Sequence, residues 1–197
     1  MILNGMIKTV VVIAAVVLAV YAGAGAFRHF SKSMKTDKSI ADIVLAQNWQ
    51  KKEIEGTGIT ILAPDMMKDV SNAADIADNV TAQSVHQFSL DTFGLTVLSV
   101  ETADGLNGEA FTNDLVNKIK NSGAADSFQY EIKPLQKSGI SGWLLQGAAN
   151  SRGQKIVVEA LSFSNGRTLK HIAISYDGNE EKLGELASRI LDSVEIE

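Results

Sequence analysis

The sequence predicts an α+β domain, an antiparallel β-meander covered by helices on both faces, standing behind one apolar N-terminal helix. Three observations predict it. Residues 9–27 carry no charge, apolar strand-length runs between residues 140 and 176 are separated by turn residues, and Leu183, Leu186, Ala187, Ile190 and Leu191 recur along one helix face.

Composition bounds the chemistry first. The 197 residues include no cysteine, 45% are apolar and only two are proline. A disulfide scaffold, a cysteine-ligated metal centre, a thiol enzyme and a disordered chain are thereby excluded. The net charge of −5 conceals an asymmetry: Lys8, Arg28, Lys32, Lys35 and Lys38 against Asp37 make residues 1–38 net +4, which leaves residues 39–197 at net −9. An acidic body repels phosphate backbones, so no nucleic-acid partner is expected.

The uncharged run from Thr9 to Phe27 would span roughly 28 Å as a helix, close to the hydrocarbon thickness of a bilayer. Residues 1–27 therefore read as a transmembrane anchor or a signal peptide. Lys8, the apolar centre and Ala24-Gly25-Ala26 satisfy the signal pattern, with cleavage after Ala26. The cations that follow at once favour an uncleaved single-pass anchor, and by the positive-inside rule they leave the C-terminal domain on the cytoplasmic side. Cleavage would instead yield a secreted or periplasmic domain, so sidedness stays open. Ala15, Ala19 and Gly23 share one face at spacing four, a candidate helix-helix contact. Residues 28–38 are polar and basic and read as a linker.

The globular domain is placed at residues 39–197. Ser39 precedes Asp42 by three, an N-cap signature for a short helix carrying Ile40, Ile43 and Val44 toward Trp49. Gly58 to Pro64 reads as a strand stopped by proline. Met66, Val70, Ala73, Ala74 and Ala77 recur at helical spacing, with Asp65, Asp69, Asp75 and Asp78 on a solvated side that fits no EF-hand window. Strands follow at Thr81–Leu90 and Leu95–Thr102. Phe111, Leu115, Val116 and Ile119 define a second helix closed at Asn121-Ser122-Gly123. Phe128–Lys133 is a strand ended by Pro134, and three longer runs follow at Ile140–Ala149, Gln154–Ser164 and Thr168–Tyr176.

Asn165-Gly166 is the strongest hairpin signal, and a type I′ turn there makes residues summing to 331 face each other. Ile156, Val157, Val158, Ala160, Leu161 and Phe163 put apolar groups on both sides of one strand, so both sheet faces should be covered.

The order of elements is similar to that of the PsbP-like superfamily. Trp49 opens the domain, Gly58 to Pro64 forms the first strand, and two strands, a helix and a long meander precede a terminal helix ending Ile190-Leu191-Asp192-Ser193-Val194. The resemblance covers residues 49–196 and implies an α/β/α sandwich used without catalysis, for docking on protein assemblies or holding peptide segments. Its anchored bacterial members commonly carry a lipid-modified cysteine, which this chain lacks.

The search for chemistry yields little. There is no nucleophile elbow, phosphate loop or dinucleotide fingerprint, and only His29, His86 and His171 could serve as a histidine base. No catalytic residue, metal ligand or cofactor site is assigned. With the expected turns, Trp143, Ala160 and His171 fall in one row, a candidate pocket floor, while Glu159 points to the opposite face from His171. The function expected is a membrane-tethered or exported binding module for a protein partner; the alternative is a chaperone-like carrier for apolar peptide or lipid segments.

Overall fold

A computed structural model of the chain describes residues 39–71, 79–122, 127–151 and 153–197. The segment 1–38, with the expected anchor, Ala26 and the Ala15, Ala19, Gly23 face, lies outside the described residues. Among those described, no helix is long and apolar enough to cross a membrane.

The first helix, α1 (Ile40–Leu45), starts as its sequence dictates: Ser39 Oγ accepts the Asp42 N–H at 3.1 Å, and Ala41 and Val44 turn inward. The Trp49 indole then donates to the Val44 carbonyl at 3.0 Å, fixing the entry into β1 (Trp49–Ile54). β1 pairs antiparallel with β2 (Ile59–Pro64), whose Ile59, Ile61 and Ala63 are buried. At the far end of the chain β10 (Glu195–Ile196) joins the other side of β2, completing a three-stranded sheet.

The helix expected from Met66 onward is not formed in its described part. Lys68–Asp69 is instead a short strand, β3, paired with Gln87 and His86 of β4 (Val80–Leu90). Its backbone is committed to that edge, since Val70 N–H donates to the Val85 carbonyl at 2.8 Å and Ser71 Oγ accepts the Val85 N–H at 2.9 Å. Asp75 and Asp78 lie outside the described residues.

β4 forms a hairpin with β5 (Phe93–Thr102), and α2 (Gly108–Asn121) carries the chain across the sheet to β6 (Ser127–Lys137). A meander follows through β7 (Ile140–Ser151), β8 (Gln154–Asn165) and β9 (Thr168–Asp177), and β9 closes against β5. The resulting seven-stranded order is β3-β4-β5-β9-β8-β7-β6, every neighbour antiparallel. β6 runs through Pro134 rather than ending before it. At the sheet edge a missing N–H leaves no ladder position empty on the outer side.

Alternation along β8 and β9 divides the core in two. Leu161, Phe163, Ile172 and Ile174 face the terminal helix α3 (Glu181–Ser193) together with α1 and the small sheet. Val158, Ala160 and Ala173 face α2 through Leu115, Val116 and Ile119, and Leu98, Val100 and Leu169 join Phe111. The cover on the α3 side is thus two helices with a three-stranded sheet beside them, where only helices were expected.

Both hairpin registers differ from expectation by two. Asn165 pairs with Thr168, so Gly166 and Arg167 are the turn residues; Gly166 takes φ 60° while Arg167 stays at negative φ. That is the glycine-first pattern of a type II′ turn, not the Asn-Gly pattern of type I′. Ser151 likewise pairs with Gln154, extending β7 two residues beyond Ala149.

Candidate functional site

The corrected registers set the contents of the row that holds His171. Val85, Leu98, His171, Ser162, Trp143 and Pro134 stand side by side across the sheet. Trp143 and His171 do share a row, but the residue between them is Ser162. Ala160 lies one row along, opposite Ala173 and Leu145.

Ser162 Oγ is 3.0 Å from His171 Nδ1 and accepts from Thr112 Oγ1 of α2 at 2.9 Å, while that hydroxyl also lies 2.8 Å from the Gly108 carbonyl. The Phe111 ring meets His171 edge-on at 4.9 Å. Ser162, Thr112 and His171 are fully buried, and Trp143 is half-buried at the rim. One proton is shared between the Ser162 hydroxyl and Nδ1, and the second ring nitrogen, Nε2, has no hydrogen-bond partner among the described residues. Burial disfavours the imidazolium and lowers the His171 pKa to about 4, with a smaller opposing pull from the Leu161 backbone. Ser162 and His171 stand side by side with no carboxylate beside them and no exposed surface of their own. Its chemistry is that of a core network linking α2 to β8 and β9.

Glu159 pairs with Ile174 and accepts from Gln146 Nε2 at 3.1 Å, on the face opposite His171 as expected. The other described histidine, His86, is nearly buried. Its Nε2 lies 2.9 Å from the Glu55 carbonyl and 3.2 Å from Ser84 Oγ. Asp69 sits opposite His86 in the register but spends its carboxylate on the Ser71 N–H at 2.9 Å and the Ser71 hydroxyl. Among the described residues no group of three or more acidic or histidine side chains is placed to hold a metal ion.

A cavity of about 250 Å³ lies beside the β8–β9 hairpin turn, lined by Phe163, Thr168, Lys170 and Ile196 among others. Lys170 Nζ donates to the Gly58 carbonyl at 2.9 Å and to the main-chain oxygen of Glu197 at 2.6 Å. This lysine fastens the small sheet to β9, and burial draws its pKa down.

The exposed counterpart of these sealed groups is the β6 edge. Tyr130 is 42% exposed and stacks on Phe128 at 5.6 Å and 12°, with Lys120 Nζ of α2 4.7 Å from the tyrosine ring centroid. Gly147 on β7 makes room for this, because a Cβ there would stand 2.4 Å from Phe128 Cζ. Sequence reading missed the platform. Phe128 and Tyr130 at spacing two, with glycine in the neighbouring strand, were the available signal.

The geometry defines a mainly antiparallel α+β domain with helices packed on its sheet. No family model matches the chain, and no curated protein does. Among solved structures, cyanobacterial PsbP (CyanoP) from Synechocystis sp. PCC 6803 superposes with a TM-score of 0.54 at 15% identity, covering 77% of this chain and 94% of that one. LpqN of Mycobacterium tuberculosis, described as involved in cell envelope biogenesis, gives 0.46 at 16% identity over 81% and 97%. A Pseudomonas aeruginosa protein of unknown function, PA94, gives 0.36 at 11% over 71% and 90%. The chain therefore has a PsbP-like fold, as its element order implied.

Proposed function

We propose that the chain is a non-catalytic, membrane-tethered module that docks on a protein partner or complex. One contrast carries the reading: Ser162, Thr112 and His171 are sealed beneath α2, while the eleven residues of β6 form an outer sheet edge that presents Tyr130. A sealed serine and histidine give a substrate no approach, whereas an open edge with an aromatic platform offers a partner main-chain and side-chain contacts together. The net charge of −9 over residues 39–197 weighs against nucleic acid.

In this reading residues 9–27 are the uncleaved anchor, and the four cations that follow hold the domain at the cytoplasmic face. The exported alternative would release the domain by cleavage after Ala26. The intact mass of the protein from its native membrane, with protease protection on the same preparation, decides between them. A full-length mass with digestion only from the cytoplasmic side is expected; a soluble product lacking residues 1–26 sinks the anchor. Docking itself is tested with a photo-crosslinking residue at Tyr130 and, as control, at exposed Glu185 of α3. A discrete protein adduct from Tyr130 alone is expected, and equal or absent adducts from both positions end the docking reading.

The carrier alternative needs an exposed apolar patch of several hundred Å². Among the described residues the large apolar side chains that are exposed are Met66 and Tyr130, which favours docking. Strong binding of an environment-sensitive apolar dye by the native protein would reverse that preference.

A further inference from the structure

We infer that β6 pairs with β6 of a second copy of this chain, antiparallel about Ile132, joining two seven-stranded sheets into one. The inference rests on the docking reading above, whose open edge it fills, and it names the occupant.

The strand's own sequence carries the argument. β6 ends its sheet, and among the described residues nothing pairs with its outer side. A proline inside a paired strand keeps its nitrogen on the unpaired side, so Pro134 fixes which groups point outward: those of Phe128, Tyr130, Ile132 and Gln136, and its own carbonyl. Ile132 is the midpoint of Ser127–Lys137, so a twofold axis there pairs all eleven residues of the strand. Of the outward groups only the two Tyr130 carbonyls, which face prolines, then lack a donor. The side chains complement each other under the same operation: Glu131 falls opposite Lys133 of the other copy, twice over, and Tyr130 falls opposite Pro134. Lys133 Nζ lies 2.8 Å from Glu131 within its own strand, but both side chains are more than half exposed, so the axis gives each a second counter-ion without breaking a buried pair. The four charges alternate in sign around the axis. Neighbouring registers do the reverse. An axis at Glu131 sets the two glutamates face to face, an axis at Lys133 does so for the lysines, and an axis at Tyr130 brings together the Lys120 ammonium groups that lie over the tyrosine rings. Charge thus selects the register, while main-chain bonds supply the affinity.

The symmetry also suits a tethered chain. A twofold axis between antiparallel strands stands perpendicular to the sheet, so each layer of one copy lies on the same side as its counterpart in the other. α1, where the described chain begins, packs with α3 in one layer. Both copies therefore receive their N-terminal segments from the same side, and two chains anchored in one bilayer meet through β6 without inverting either. The net charge of −9 on each domain opposes association in solution, and a shared membrane offsets this by raising the effective concentration.

The chain has no cysteine, so introduced ones report cleanly. Full-length Glu131→Cys and Lys133→Cys proteins are reconstituted in liposomes, separately and as a mixture, and oxidised with copper phenanthroline; residues directly opposite on antiparallel strands stand within disulfide reach. The mixture should give a disulfide-linked pair at about ten times the yield of either protein alone. In a second series, Glu131→Lys and Lys133→Glu should each weaken self-association, read by energy transfer between labelled full-length chains, by about tenfold, and the double variant should restore it. All four changes replace exposed side chains, and unchanged circular dichroism shows the fold intact. Equal yield from Glu131→Cys alone, or a loss that the double variant leaves unrepaired, puts the contact in another register and overturns the inference. Monomers at every protein-to-lipid ratio, with a Tyr130 adduct to a different protein, overturn it and leave docking in place. Monomers with no Tyr130 adduct remove both readings.

Discussion

Under α3 the strands β8 and β9 present Leu161, Phe163, Ile172 and Ile174; under α2 the alternate residues of the same two strands are Ala160, Ser162, His171 and Ala173. Both faces are dry, but they are held differently. The α3 face is filled by branched and aromatic side chains, with Trp49 edge-on to Phe93 at 6.0 Å and to Phe88 at 5.9 Å. The α2 face is lined at this point by small residues and a hydroxyl-imidazole chain that joins strand to helix. Apolar packing is indifferent to pH, whereas a buried titratable group makes its face conditional.

The largest effect should come from the unconditional face. Phe93→Ala empties a fully buried site between Trp49 and Phe88, and large-to-small changes of this kind cost about 3–5 kcal/mol. Urea unfolding should show the loss equally at pH 7 and pH 5. A loss that depended on pH would break the distinction between the faces.

Acid should act through the other face. His171 titrates near pH 4 in the folded protein and near 6.5 when unfolded, so between these values the unfolded chain takes up a proton that the folded one refuses. Stability is complete above pH 6.5, falls as pH drops toward 4, and the total contribution lost is about 3 kcal/mol. A His171→Leu variant should flatten that part of the profile. An unchanged slope would show that the imidazole is not the group responsible.

How far the sequence could be read follows the same physics. The meander, α2 and α3 were legible because their apolar residues recur at the period of the element. β1 was not, because Gln50, Lys51 and Glu53 are exposed on an outer strand and leave no clean alternation. β3 was mistaken for a helix because Met66 and Val70 stand four apart, although Met66 is exposed and only Val70 packs, partly buried, at the sheet edge. The site was half legible. A register error of two keeps every side chain on its own face, so Trp143 and His171 were rightly put in one row. The same error replaced Ser162 by Ala160 and hid the hydroxyl that defines the row. Nothing in the local sequence of α2 announces that Thr112 would meet it, since that contact is made by tertiary packing.

Ser162→Ala isolates that hydroxyl. The variant leaves His171 Nδ1 without its partner and removes an acceptor from Thr112, which keeps the Gly108 carbonyl. The expected cost is about 1–3 kcal/mol, the range for stranding a buried polar group. Faster amide exchange should be concentrated in α2. Loss spread evenly over both faces would mean that the hydroxyl chain is not what couples this helix to the sheet.

The smallest effect tests whether the α3 face is wholly apolar in its support. Lys137, at the end of β6, sends Nζ to the Leu191 carbonyl at 2.7 Å and the Asp192 carbonyl at 3.0 Å. α3 has no basic residue in its own last turn, so this lysine supplies both the donors and the positive charge that a helix C-terminus favours. Burial pulls its pKa down against the opposing influence of Asp192 and Glu195, so the ammonium is held by these contacts at some desolvation cost. Lys137→Met keeps the apolar stem and removes only the charged end. The expected loss is about 1 kcal/mol or less, with faster exchange confined to the last turn of α3 and no change in α2. If α2 loosens as well, the two faces are coupled through the β6 edge, and a partner added to that edge would be felt on both.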